Sequence, residues 1–541
     1  MDEFDYVIIG GGTAACVLAY RLSEGDRNTV CVLEAGPKDD HFTIRIPAGF
    51  IKNLSNPRVS FQYFLEPSEG TNNRRIQIAQ GRMLGGSSSL NGMIFNRGQA
   101  ADYNYWAQLG NRGWGYDDVL PYFKRFEKRE GPGDDRFRGR DGLLVTCNSA
   151  WDNPLIAAFM ESAAANGVPR NMDHNGETQF GHGWVQAAVD NTNRASTAHA
   201  FLRPAERRQS VTVRTEATVT RIVLDGKRAT GVEYRAANTP GSVTVRARKS
   251  VILSAGALNG PKLLQLSGIG PAGLLSEFGI PVQHDLPGVG ENLSDHFGCR
   301  VVAKIKGATT LNGVLRFPRL QIEALKWALS MPNLLSNPVG LVNGFGKSHP
   351  DLDEPDFYFT LAPASFKAGF FGKLDDYPGV TCAASPMRPE SRGYVRIQST
   401  DIMQQPIIQP NYLSTENDRR LAVHAASQAR KMLQTGAMAQ YFDGDILPGP
   451  NVQTYDEMLD FVRSNAMSGY HYVGTCKMAP ATDKMAVVDD RLRVHGLEGL
   501  HIVDASIIPR VTSANTCVPT IMVAEKASDM LLGKPPLSPL I

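Results

Sequence analysis

Short runs of consecutive apolar residues recur along the chain and predict buried strands. Residues 6–9 form an apolar, β-branched run, and residues 29–33 form a second one. Continuous apolar runs of this length are typical of parallel strands that are covered on both faces. We therefore predict a buried parallel sheet at the start of the chain.

The same pattern returns in the later parts of the chain. Further strand-like runs lie at 211–214, 219–224, 231–235, 250–253 and 500–504. The last of these is followed by a pattern that predicts a helix over 520–532. Because these runs match the N-terminal ones in character, we predict that the chain returns several times to one core built on the parallel sheet.

The middle of the chain has a different texture. Residues from about 297 to 464 are rich in aromatic residues and prolines, with strand-like stretches such as 357–360. This texture favours an antiparallel sheet that faces the substrate. We predict an α/β fold of two discontinuous domains: 1–155, 190–296 and 465–541 in the nucleotide-binding domain, and 156–189 and 297–464 in the substrate domain.

A glycine-rich turn follows the first strand and predicts a phosphate-binding loop. Gly10 permits a tight turn, and Gly12 lets backbone N–H groups approach a pyrophosphate. Ala15 stands where a small residue lets the next helix pack against the strand. Glu34 follows the second strand, 22 residues after Gly12, and this spacing suits a carboxylate that holds ribose hydroxyls.

Composition and charge exclude several classes of protein. The chain has 541 residues, of which 42% are hydrophobic and 20% charged, as in a globular enzyme of two or more domains. A net charge of +2 predicts no nucleic-acid partner. The seven cysteines are scattered without a CxxC pair, and the acidic start of the chain fits no secretory signal. We therefore expect reduced thiols, no metal site and a cytoplasmic location.

One apolar stretch bears on membrane contact. Residues 325–346 come nearest to a membrane span, but Lys326, Pro332 and Asn333 are among the residues that interrupt them. No stretch reaches 18 uninterrupted apolar residues, so no integral membrane segment is expected. We favour a helix and loop packed over the substrate region, and a lip that touches the inner membrane is the alternative.

Longer motifs extend this interpretation over nearly the whole chain. They read GRMLGGSSSLNG at 81–92, SAGALNGP at 254–261, LSGIG at 266–270, GENLSDH at 290–296 and PNYL at 410–413. In this order, the motifs resemble those of the glucose–methanol–choline (GMC) oxidoreductase family, most closely its bacterial alcohol, choline and sorbose dehydrogenases. The resemblance implies a Rossmann-like FAD-binding domain joined to a substrate domain.

The resemblance also implies which residues hold FAD. It places the ADP half against the first glycine turn and the flavin along the loop at 82–92. The implied cofactor residues are Gly10, Gly12, Thr13, Ala14, Glu34, Ala35, Arg82, Gly85, Gly86, Ser87, Asn91, Gly92, Val219, Asp504, Ala505, Asn515 and Thr516. Some members of the family attach the flavin covalently to a histidine. Leu90 occupies that position here, so we expect non-covalent FAD.

The catalytic candidates are His471 and Asn515. His471 lies in SGYHYVGTC at 468–476, which resembles the catalytic histidine loop of the family, and Asn515 begins the partner motif NTCVPT. Imidazole has a pKa near ambient pH and can take a hydroxyl proton, while an amide can hold the alkoxide oxygen. Tyr472 replaces a proline that is common in this loop, which affects the shape of the pocket.

These residues predict an FAD-dependent oxidation of an alcohol to an aldehyde or ketone. We expect a primary alcohol with an apolar or aromatic body, because Phe357, Tyr358, Phe359, Phe366, Phe370 and Phe371 cluster in one stretch. The alternatives are a sugar or polyol dehydrogenase, of the sorbose or choline type, and a lyase that leaves the flavin redox-idle. We expect a quinone or another carrier, rather than oxygen, as the electron acceptor. The oligomeric state is left open.

Overall fold

Two large sheets dominate the computed structural model, which describes residues 2–237, 241–338, 340–367 and 373–539. The strands in this part of the chain are β1 (Asp2–Ile9), β2 (Val30–Leu33), β3 (Ser60–Phe64), β4 (Gln77–Gly81), β5 (Glu127–Arg129), β6 (Leu144–Asn148), β7 (Gly181–Trp184), β8 (Gln186–Ala187), β9 (Val189–Asp190), β10 (Asn193–Arg194), β11 (Val211–Arg214), β12 (Ala217–Asp225), β13 (Arg228–Ala236), β14 (Val243–Leu253), β15 (Ile269–Gly270), β16 (His284–Asp285), β17 (Phe297–Ile305), β18 (Val342–Gly346), β19 (Phe357–Ala362), β20 (Gly379–Pro386), β21 (Tyr394–Arg396), β22 (Ile407–Gln409), β23 (Phe442–Leu447), β24 (Met467–Ser468) and β25 (Leu500–Ile502).

Helices cover both sheets. They are α1 (Thr13–Leu22), α2 (Phe42–Arg45), α3 (Phe50–Leu54), α4 (Ala100–Gln108), α5 (Tyr116–Phe126), α6 (Pro154–Ala165), α7 (Arg203–Glu206), α8 (Gly256–Leu266), α9 (Ala272–Glu277), α10 (Leu311–Val314), α11 (Arg319–Ala328), α12 (Glu416–Gln434), α13 (Tyr455–Asn465) and α14 (Cys517–Leu531). In the described ranges, no helix is both long enough and apolar enough to cross a bilayer.

The first sheet contains the predicted nucleotide-binding strands. Its order is β11-β2-β1-β14-β13-β12, with β25 paired to the C-terminal end of β14. The pairs β11–β2, β2–β1, β1–β14 and β14–β25 are parallel, whereas β12, β13 and the start of β14 form an antiparallel extension. Val7, Ile8 and the whole of β2 are buried between helices, which explains their continuous apolar runs.

The second sheet is antiparallel, in the order β23-β17-β20-β19-β18-β7, with β24 paired to β17. Its core includes α6 and α12 packed on β17, β19 and β20. The predicted α/β fold, with a parallel nucleotide-binding sheet and a second antiparallel sheet, is therefore confirmed.

The domain boundaries stay a prediction, but two elements bear on them. The proposed boundary between 155 and 156 falls inside α6, whose buried residues belong to the core of the second sheet. The short strand β24 lies in the segment assigned to the first domain, yet it pairs with β17. Residues 465–541 thus reach both sheets, which brings the end of the chain to the junction between them.

The stretch 325–346 differs from the expected helix and loop. Helix α11 ends at Ala328, and residues 342–346 form β18, a fully buried strand between β7 and β19. Helix α11 itself is largely exposed, with Ile322 at 51% and Leu325 at 60% of their full accessible surface. The apolar residues of this stretch therefore serve two purposes: those of β18 enter the core, whereas those of α11 face solvent.

Candidate active site

A cavity of about 810 Å³ opens at the junction of the two sheets. Its walls come from β1, β2 and β12 of the first sheet and from β17, β19 and β20 of the second. Of the residues predicted for the site, those that line it are Gly10, Gly12, Thr13, Ala14, Glu34, Ala35, Arg82, Gly86, Ser87, Asn91, Gly92, Val219, His471, Asp504, Ala505, Asn515 and Thr516. The structure thus brings together residues from distant parts of the chain.

Gly85 is absent from the cavity wall, and the reason lies in how the two glycine-rich segments meet. Its backbone N–H donates to the carbonyl of Gly11 at 2.7 Å, so Gly85 links the two segments at a position outside the cavity wall. Beside it, a Cβ on Gly86 would lie only 2.7 Å from the Cα of Gly12. Gly10 has φ +94°, and a Cβ there would lie 2.6 Å from the carbonyl oxygen of Ser254. These close approaches require glycine.

Glu34 is buried beside the first turn. One carboxylate oxygen accepts the N–H of Gly11 at 2.6 Å, and the other accepts the N–H of Gly36 at 2.8 Å. Burial raises the pKa of Glu34 to about 7, although the two backbone hydrogen bonds oppose the shift. The carboxylate is therefore held firmly at the end of β2, at the edge of the cavity.

Two helices begin at this cavity without a side-chain cap. Helix α1 follows the N-cap Gly12, which has no side chain to cap it. Helix α14 follows the N-cap Thr516, whose side chain accepts no hydrogen bond from the helix. Both N-caps line the cavity. Uncapped helix N-termini offer backbone N–H groups and a positive dipole end, which suit a pyrophosphate. The residues present therefore fit the dinucleotide part of FAD.

His471 and Asn515 lie side by side on the cavity wall. The Asn515 side-chain nitrogen is 3.1 Å from Nε2 of His471. On the other side of the ring, Nδ1 of His471 is 2.8 Å from Nδ1 of His296. His296 in turn places its Nε2 at 2.8 Å from the carbonyl oxygen of Met387. The two imidazoles thus form a chain that ends at a backbone acceptor.

This chain defines the tautomer of His471. A carbonyl only accepts, so Nε2 of His296 carries the proton, and Nδ1 of a neutral His296 is an acceptor. His471 must then donate from Nδ1 to His296, which leaves its Nε2 unprotonated, with a lone pair that accepts from the Asn515 side-chain amide. Burial lowers the pKa of both rings, and for His471 the neighbouring His296 adds to this effect. His471 is therefore a neutral base with Nε2 toward the cavity.

Asp295 holds the histidine loop at 468–476 in place through hydrogen bonds. It accepts the backbone N–H of His471 at 2.7 Å, the hydroxyl of Ser468 at 2.6 Å and the hydroxyl of Tyr412 at 2.5 Å. Burial raises the pKa of Asp295 to about 6, against the effect of these hydrogen bonds. The hydroxyl of Tyr472 lies 2.5 Å from that of Ser468, so the tyrosine that replaces the common proline joins this network.

The aromatic stretch that motivated the substrate prediction divides between two environments. Tyr358 lines the cavity, and its hydroxyl lies beside the Asn515 side chain. Phe357 and Phe359 point the other way, into the core of the second sheet, because successive side chains of a strand alternate. Phe366 is half-buried outside the cavity wall, and Phe370 and Phe371 lie outside the described residues.

Sequence reasoning missed three residues of the site. His296 and Asp295 lie in the motif at 290–296 but were assigned no role, since 175 residues separate His296 from His471. Arg300 follows four residues later on β17 and also lines the cavity. The signal available was a histidine at the end of the motif at 290–296 and an arginine four residues after it, which alone does not say which site they face.

Comparisons with known proteins agree with this architecture. Residues 4–298 and 389–524 match two family models that are both described as GMC oxidoreductase. The oxygen-dependent choline dehydrogenases of Brucella suis and Photobacterium profundum are 40% and 38% identical to this chain. Each alignment covers 99% of this chain, with 97% of the first relative and 94% of the second.

Solved structures resemble this chain over nearly its full length. Pyridoxine 4-oxidase from Mesorbium loti is 30% identical, with a TM-score of 0.87 over 97% of this chain and 98% of that one. Formate oxidase of Aspergillus oryzae, at 23% identity, shares the fold with a TM-score of 0.92 over 98% of both chains. The fold, the fit of the cavity to FAD and the family models lead to one conclusion. The chain belongs to the GMC oxidoreductase family and is an FAD-dependent enzyme that oxidises the CH–OH group of an alcohol.

Proposed function

We propose that His471 is the general base and that Asn515 positions the substrate oxygen. An alcohol hydroxyl between the two side chains donates its proton to Nε2 of His471 and accepts from the Asn515 amide. FAD, when bound, supplies the acceptor for the hydride from the alcohol carbon. The observation that carries this proposal is the unprotonated Nε2 of His471, which accepts from Asn515 and whose tautomer is fixed by the hydrogen bonds through His296 to Met387.

The network around this base keeps a partner for each ring nitrogen after proton transfer. Once protonated, His471 still donates from Nδ1 to His296, and Nε2 can donate back to the alkoxide oxygen. The buried Asp295 accepts the backbone N–H of His471 and so holds the loop that positions the ring.

For the substrate, we propose a primary alcohol with an apolar or aromatic body. Tyr358, Tyr470 and Tyr472 line the cavity on the side of His471, and this supports an aromatic or apolar contact surface. The names of the 40% identical relatives favour choline as the second candidate.

An anaerobic substrate panel tests this proposal. Holoenzyme is mixed with benzyl-type and medium-chain primary alcohols, sorbose and choline, and bleaching of the flavin is followed by stopped flow. We expect benzyl-type alcohols to reduce the flavin fastest. Faster reduction by sorbose would overturn the substrate class, and conversion of substrate without bleaching would identify a redox-idle lyase.

For the acceptor, we propose a quinone or another carrier at the periphery of the inner membrane. The outer face of α11, with Ile322 and Leu325 exposed, supports membrane contact, while Glu323 points inward at 7% exposure. The relatives are named oxygen-dependent, which favours oxygen as the second candidate. Reoxidation of reduced enzyme by a soluble quinone and by oxygen, measured in parallel, decides between them; faster reoxidation by oxygen would overturn the first candidate.

A further inference from the structure

Arg300 is a charged side chain of the cavity wall that the proposed proton transfer does not use, and it lies within electrostatic reach of Tyr470, the residue before His471. It lies on β17 and lines the cavity together with Tyr470 and His471. Within the described ranges, no carboxylate oxygen lies within 4.0 Å of its guanidinium and no protein acceptor binds its N–H groups. An arginine that is half-buried without an ion pair is uncommon, because desolvation of the charge is not compensated.

The other charges of the cavity do not compensate Arg300. The acidic residues of the described wall are Glu34 and Asp504. Both are engaged by backbone N–H groups in the nucleotide part: Glu34 by Gly11 and Gly36, and Asp504 by those of residues 256 and 506. The described wall of the substrate part therefore offers Arg300 no carboxylate partner.

Burying the charged guanidinium of Arg300 costs free energy in the protein without a bound anion. Desolvation lowers the pKa of Arg300, and only Tyr470 and Asp375 act electrostatically in the opposite direction. Arginine remains protonated throughout the working range of pH. A bound anion would thus replace the water that the guanidinium has lost, and guanidinium matches a carboxylate in a bidentate geometry.

We infer that Arg300 selects a primary alcohol that carries a carboxylate, with the carboxylate on Arg300 while His471 and Asn515 hold the hydroxyl. This inference rests on the proposed alcohol oxidation and names its substrate class. The quaternary ammonium of choline would meet a like charge beside the catalytic base, with no free carboxylate on the described wall to offset it.

A matched set of aromatic alcohols tests the charge preference. The substrates are para-hydroxymethyl-benzoate, its uncharged amide, and para-hydroxymethyl-phenyl-trimethylammonium, with choline as a fourth. The second-order rate constant of anaerobic flavin reduction is measured for each. Since hydrogen bonds to a charged group contribute about 1.5–3 kcal/mol, we expect the benzoate to exceed the amide by roughly 10- to 100-fold, and the cations to react more slowly than the amide.

Three variants assign the preference to Arg300. Arg300→Gln should reduce the advantage of the benzoate to within a few fold, and Arg300→Lys should retain part of it. Lys304→Gln is the matched control, since it removes a positive charge from the same strand at a residue paired with Asp443 at 3.0 Å and outside the cavity wall. The FAD content of each variant shows that the fold is intact.

The outcomes separate this inference from the proposed function. Equal rates for the three aromatic alcohols, or a faster reaction of either cation, would overturn the role of Arg300 and leave alcohol oxidation standing. An unchanged benzoate preference in Arg300→Gln would also overturn it. A wild-type holoenzyme that no alcohol of the set or of the earlier panel reduces would overturn the proposed function itself.

Discussion

His296 should control the rate of flavin reduction without touching the substrate. In His296→Leu, the Nδ1–H of His471 loses the acceptor that lies 2.8 Å away, and the buried ring can no longer be held as the Nδ1–H tautomer. An unsatisfied buried donor costs about 1–3 kcal/mol. If His471 avoids this cost by leaving the productive tautomer, flavin reduction slows by about 5- to 150-fold.

The pH dependence distinguishes this effect from a structural defect. His296 contributes to the lowered pKa of His471, so its removal should raise that pKa and move the acidic limb of the rate profile to higher pH. His296→Gln is the control, because its side-chain oxygen can accept from Nδ1 and should restore most of the rate. The assay is anaerobic stopped-flow flavin reduction from pH 5 to 9, a range centred on the titration of histidine. A His296→Leu holoenzyme with the wild-type rate and profile would refute the reasoning.

Two further predictions concern the base and the cofactor. Burial holds the pKa of His471 below its usual 6.5, so the base stays neutral as the pH is lowered toward that value. The rate of flavin reduction should therefore be constant above pH 6.5 and fall only below it. An acidic limb of the rate profile centred above pH 6.5 would contradict this. Acid precipitation should release FAD into the supernatant, since Leu90 offers no atom for a covalent bond; colour that stays in the pellet would contradict this. Glu34→Ala should weaken FAD retention by roughly 1.5–3 kcal/mol, measured by flavin fluorescence. Glu24→Ala, at a partly exposed carboxylate outside the cavity wall, is the control, and unchanged retention in Glu34→Ala would be the contrary result.

The parallel sheet could be predicted because its strands are covered on both faces. β2 is apolar at each of its four positions, and the Gly10 turn carries a backbone requirement that other residues meet poorly. The division of the aromatic stretch follows from alternation along a strand, so Tyr358 could have been separated from Phe357 and Phe359 by period alone.

Other parts of the site depend on tertiary contacts that no local pattern encodes. His296 and His471 meet only because β24 pairs with β17 and draws the histidine loop onto the second sheet. Among the described residues Arg300 forms no ion pair, and only the folded structure shows this, since it depends on which carboxylates lie out of its reach. Exposure of α11 is likewise invisible in a sequence whose apolar residues suit either a core or a surface.

The rate of anaerobic flavin reduction in His471→Ala tests the central claim most directly. General-base catalysis contributes ~10²–10⁴-fold, so the variant should retain FAD but reduce it more slowly by that factor, with partial rescue as the pH is raised. Asn515→Ala should lose less, because it removes a neutral hydrogen bond rather than the base. A His471→Ala holoenzyme that bleaches at the wild-type rate across the pH range would contradict the assignment of His471 as the base.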